Sequence, residues 1–243
     1  MKCGLSRLFA LVAALGFALA GPAAAEDANT TTQRILELES MGRARVAEAA
    51  TQLEQLRPST AEFSAQRLEL LTVQGLMLAV ASQAEGAERA AAELEAWGTR
   101  PGAPLAAEAG AAALLVRARA TARSGNLQQA DTLMQRAMKQ LPATAQARER
   151  VRFVTALGYI RNESGKLEDA VRLNHEALAL ADQVDEAWRQ SEARSSLAYS
   201  YYNAKQFERA RALNDEAITL ASKTHDDVSL ARAYNTAAIV LTA

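Results

Sequence analysis

A forty-residue period in the second half of the chain constrains its fold more than any other feature. Leu127, Leu167 and Phe207 keep that step. So do Ala130, Ala170 and Ala210, then Leu133, Leu173 and Leu213, then Ala137, Ala177 and Ala217, while Gly125 and Gly165 form a fifth column. A fixed period of this size marks stacked supersecondary units, none of which can bury its apolar face alone. Such arrays present extended surfaces to other chains far more often than they house catalytic sites. The expected work is recognition.

The composition makes the units helical. Hydrophobic residues make up 49% of the chain, aromatics only 5%, and there are five prolines in 243 residues. Ala, Leu, Glu and Arg favour helix, and no alternating β-branched run reads as a strand. From the apolar spacing, a long helix is expected over 35–56, ended by Pro58, with residues 26–32 polar and frayed before it. Ser59 or Thr60 would cap a second helix running to about Gln83, with a turn at Gly86 and a shorter helix over Ala87–Trp97. The stretch Gly98-Thr99-Arg100-Pro101-Gly102-Ala103-Pro104 is the strongest break. Beyond it, helices are expected near 105–123, 127–140, 145–163, 167–181, 187–203, 207–222 and 226–242. Glycine relieves the left-handed C-cap at positions 125 and 165; Lys205 takes the third such position at some strain.

The first 25 residues read as a secretory leader. Lys2 and Arg7 precede an apolar stretch, Leu8 to Ala20, of thirteen residues, and Ala23-Ala24-Ala25 offers small residues for cleavage. Export would remove Cys3, the single cysteine, and with it any disulfide or thiolate chemistry. It would also take the formal net charge from −1 to −3, because the leader holds two cations and no acid. An acidic mature chain lacks the basic excess of a nucleic-acid binder. The remaining chain divides into N-terminal helices with a degenerate unit (26–104) and three regular units followed by an unpaired helix (105–243). That last helix looks cut in mid-array, as in a fragment of a longer protein or a helix that docks onto a partner.

The helical hairpins resemble the tetratricopeptide repeat. In that family a Leu-Gly or Leu-Ala pair precedes a Gly, an aromatic and two alanines. Leu157-Gly158, Gly165, Leu167, Ala170 and Ala177 follow that order, as do Leu197-Ala198, Tyr201, Phe207, Ala210 and Ala217, and Gly125, Leu127, Ala130, Ala137 and Pro142. The resemblance implies an all-α, right-handed solenoid of antiparallel helix hairpins. The forty-residue unit exceeds the common thirty-four. In length it is similar to the units of spindle-orientation adaptors and of exported sensory regions of bacterial diguanylate cyclases and histidine kinases, and the runs Leu173–Ala181 and Ala231–Ala237 are similar to helices of the latter. By that resemblance, the first helix of each hairpin lines a concave groove for a peptide or protein segment. It implies Arg152, Thr155, Tyr159 and Asn162 from one unit, Glu192, Ser195, Tyr199 and Tyr202 from the next, and Arg232, Asn235 and Ile239 from the last. Tyrosines offer stiff contact area and asparagines pair with peptide backbone. Tyr201 would pack between hairpins, Tyr159 and Tyr199 would either pack there or face the groove, and the recurring Asn174 and Asn214 would satisfy neighbouring helices. Glu192 stands where a basic clamp for a terminal carboxylate needs a cation, so that clamp is not supported.

Enzyme readings find little support. Gly158 to Lys166 suggests a phosphate loop but has six residues between its glycines and Leu167 where Ser or Thr is required. His175 and His225 lack metal-ligand spacing, and no serine stands in a nucleophile motif. No cofactor or metal is expected, and a membrane contact would come only through a further C-terminal region. The alternative to a peptide-binding scaffold is an exported all-helical enzyme or small-molecule-binding protein.

Overall fold

The computed structural model describes residues 22–241, and among them every regular element is helical. The helices are α1 (Pro22–Gly42), α2 (Val46–Leu56), α3 (Ala65–Val80), α4 (Ala84–Gly98), α5 (Ala106–Arg123) and α6 (Leu127–Gln140). They continue as α7 (Ala147–Glu163), α8 (Leu167–Ala181), α9 (Ala187–Asn203), α10 (Phe207–Lys223) and α11 (Asp227–Leu241). Odd helices pair with the following even ones, and each odd helix also packs on the next odd helix. The expected leader falls mostly on residues 1–21, outside the described residues. No helix among the described residues is long and apolar enough to cross a membrane.

The repeat columns explain the stacking. Ala130, Ala170, Ala210, Ala137 and Ala217 are fully buried and Ala177 is 1% exposed. Small side chains at these points bring the two helices of each hairpin close. A larger one would overpack the contact, at a cost of about 1–3 kcal/mol. Gly158 follows the same logic, since a Cβ there would lie 2.7 Å from Asn174 Oδ1. Asn174 is buried and donates from Nδ2 to Ser200 Oγ at 2.8 Å, which ties α8 to α9. Tyr201 is buried against Leu197 and Ala210, as expected of a packing residue.

Helices from α5 onward match the periodicity within two residues. The N-terminal part departs from it. The expected helix over 35–56 is broken: α1 ends at Gly42, α2 starts at Val46, and the two fold back on each other. Arg45 N and Ala44 N both donate to Met41 O, closing the turn. Gly42 permits it, because a Cβ there would meet Met77 Cε at 2.1 Å. Residues 26–32 lie within α1, not in a frayed lead-in. Ser64, not Ser59 or Thr60, caps α3 by accepting from Arg67 N at 3.1 Å. The next turn falls at residues 81–83, where Ser82 takes φ +60°, so Gly86 lies inside α4.

Gly125 and Gly165 adopt φ +87° and +73°, whereas Lys205 is held at +58°. A side chain in this left-handed region costs about 1–2 kcal/mol, part of which glycine's extra unfolded-state freedom cancels. Lys205→Gly is expected to stabilise the chain by about 0.5–1 kcal/mol, seen as a higher urea midpoint at unchanged slope.

Candidate functional site

The odd helices converge on a concave cavity of about 420 Å³. Each supplies part of its lining: Glu39 from α1, Val73 from α3, Arg119 from α5, Arg152 from α7, Glu192 from α9 and Arg232 from α11. One wall is apolar, built by Val73, Leu76, Met77 and Val80 of α3 with Val46 and Val151. The rest carries arginines 43, 119, 152, 189 and 232 against two carboxylates, Glu39 and Glu192.

Most of these charges are already paired. Arg152 is 7% exposed and forks onto two carboxylates. It donates to Glu39 at 3.1 and 2.7 Å and to Glu69 at 2.9 and 2.5 Å. Glu39 also accepts from Arg189 Nη2 at 2.9 Å, and Arg189 Nε donates to Glu186 at 2.8 Å. Burial alone would raise the Glu39 carboxyl, but Arg152 and Arg189 overcome it and hold the pKa at about 2. Burial likewise opposes the charge on Arg152, and its two carboxylates more than offset this. Arg43 reaches the start of α11, donating to Asp226 Oδ2 at 2.9 Å and Ser229 Oγ at 2.6 Å. Arg232 is paired with Glu192. Trp188 lies under two guanidinium groups, with Arg189 4.2 Å and Arg43 4.8 Å from its ring centroid.

Together these pairs hold the first hairpin against the last. The end of α1 lies over the N-terminal turns of α7, α9 and α11, so the superhelix curls until its two ends meet across the trough. Charge pairs between sequence-distant elements therefore narrow the groove to a cavity.

Searches against family models and curated protein sequences return no match. Solved structures do match. The apo form of RapI superposes with a TM-score of 0.59 at 14% identity, over 89% of this chain and 59% of RapI. BtubC from P. vanneervenii gives 0.55 at 17% identity, covering 85% of each chain. A kinesin light chain with TPR-like repeats from Podosopora anserina gives 0.47 at 18% identity, over 81% of this chain and 95% of that one. The fold is a TPR-like solenoid. The chain spans 59% of RapI's length, and at these identities the likeness concerns architecture alone.

Within this solenoid, Arg152, Thr155, Glu192 and Arg232 line the cavity. Tyr159 is one step removed, with the Arg119 guanidinium 4.7 Å from its ring centroid. Asn162 is buried, and its Oδ1 accepts from Asn203 at 3.1 Å. Ser195 is buried, 3% exposed. Tyr199 and Tyr202 stack on each other with centroids 6.5 Å apart, and Tyr202 leans on Phe207. Asn235 and Ile239 lie on the exposed side of α11. Glu39, Arg43, Arg119, Trp188 and Arg189 also line the cavity, outside the groove positions that the repeat resemblance implies. Arg119 could have been found: positions 119, 159, 199 and 239 share the forty-residue step, so Arg119 occupies the column of Tyr159 one unit earlier.

Proposed function

We propose that the chain is a scaffold whose concave cavity binds a peptide or protein segment. The carrying observation is that all six odd helices converge on one recess with an apolar wall and a charged wall. TPR-like arrays commonly serve protein–protein contact, and pockets of about 300–1,000 Å³ receive a few anchoring groups and exclude a folded partner. Short extended segments fit this recess best. We further propose that the chain works outside the cytoplasm, on the charged, apolar and small-residue order of its leader. The likeness of its hairpins to exported sensory regions supports a role as the input module of a longer signalling protein.

A random peptide library screened against the purified chain tests the binding claim. Selected peptides are expected to bind the parent and to lose at least tenfold in affinity on Thr155→Trp, which fills the cavity from α7. That variant is expected to keep its helical content by circular dichroism. Peptides that bind both forms equally would move the interaction to another face and remove the claim.

A further inference from the structure

Among the described residues, four of the five cavity-lining arginines form ion pairs with a carboxylate, and Arg119 does not. Among the described residues its contact is the face of Tyr159, which holds the guanidinium without neutralising it. Arg119 is half-buried. Burial draws its pKa down, with Tyr159 and then Glu192 acting the other way. Glu192 is committed to Arg232. A desolvated cation with no counter-ion is costly unless something pairs with it. Arg43 adds a second open donor on the same lining: its side chain is 9% exposed and its buried Nε has no acceptor. α5 packs against α3, whose Leu76, Met77 and Val80 form the apolar wall.

We infer that the cavity recognises a carboxylate carrying an apolar group, with Arg119 as the anion-binding residue and the α3 wall receiving the apolar body. A guanidinium offers two parallel donors to a carboxylate, so one fork suffices to fix the ligand. The neighbouring arginines are neutralised, and the site therefore takes one negative charge. This differs from a multi-residue basic clamp, whose positions include Glu192. The inference deepens the binding claim above and rests on the same cavity. The carboxylate could come from a peptide C-terminus or from a free organic acid.

Calorimetry separates these sources, using N-acetyl-leucine, N-acetyl-leucinamide, and a hexapeptide ending in leucine with a free or amidated terminus. Both acids are expected to bind at least tenfold more tightly than their amides. Arg119→Gln is expected to abolish that difference and Arg119→Lys to restore part of it. Arg119→Gln is also expected to unfold at the same temperature as the parent or higher, since it removes a half-buried charge that no ion pair neutralises; a structural arginine would lower it. A peptide at least tenfold tighter than N-acetyl-leucine assigns the terminus, and equal affinity assigns the small acid. Peptide binding indifferent to amidation or to Arg119→Gln overturns the carboxylate inference and leaves the peptide groove standing. Binding of the free acid alone keeps the inference and removes the peptide groove. Binding of neither overturns both.

Discussion

Arg152→Ala is expected to lower the unfolding free energy by about 3–5 kcal/mol, the range for breaking a buried charge network by removing one partner. Arg152 is the shared cation between Glu39 of α1 and Glu69 of α3, and it lies on α7. Its removal leaves Glu69 without its cation and Glu39 with Arg189 alone, in a region where their side chains are only 19% and 15% exposed. Most of the loss is the penalty of leaving Glu69 unpaired and Glu39 with half its partners, not the worth of the bonds themselves. A neutral replacement of the whole set, Arg152→Met with Glu39→Gln and Glu69→Gln, is therefore expected to be considerably more stable than the single variant. Arg34→Ala is the control. Its pair with Glu37 is about half exposed on both sides, and such pairs contribute about 0–1 kcal/mol. Denaturant titration measures all three, and hydrogen exchange locates the damage, expected first in α1. A loss under about 1 kcal/mol for Arg152→Ala would show that the ends are not held by this network.

The contrast between these two pairs also marks what the sequence makes legible. The forty-residue step located α5 to α11 because buried alanines such as Ala130, Ala170 and Ala210 are required by each hairpin locally. The resemblance to the repeat family implied Arg152, Thr155, Glu192 and Arg232 for the groove, and the forty-residue step taken back one unit from Tyr159 reaches Arg119. The break after Gly42 carried no local sign, because apolar spacing runs on from Leu38 through Ala49 to Leu53. What fixes it is tertiary: room for Met77 against Gly42, and the reach of Arg43 to Asp226, 183 residues away. Glu39 and Trp188 were hidden for the same reason. Their roles arise only once the superhelix has curled far enough for its first hairpin to meet its last. Helical periodicity reports which face an element buries; it does not report how far a stack of them bends.

Acid is expected to dismantle this closure before it dismantles the hairpins. Glu39 has a pKa of about 2 in the folded chain, against 4.5 ordinarily. The unfolded state therefore takes up the proton first as pH falls. The stabilisation from this group is complete above about 4.5 and is lost progressively as pH drops to about 2, with an amplitude of about 3 kcal/mol. Glu192 and Asp226 act in the same direction. Burial opposes their ionisation, but arginines outweigh it for Glu192, and bonds from Ser229 and Arg43 do so for Asp226. Glu149 acts oppositely: burial, then Glu69 and Glu108, raise its pKa, so protonating it relieves strain and returns a part of the loss. The alanine interfaces carry no titratable group and should persist. Denaturant midpoints measured from pH 7 down to pH 2 are expected to fall mainly below pH 4.5, with α1 and α11 losing hydrogen-exchange protection before α7 and α8. Glu39→Gln isolates the main contributor. It should be less stable than the parent at pH 7, lack most of the acid slope, and converge on the parent near pH 2. Parallel curves for the two proteins across that window would mean that Glu39 is not the carboxylate that holds the first hairpin in place.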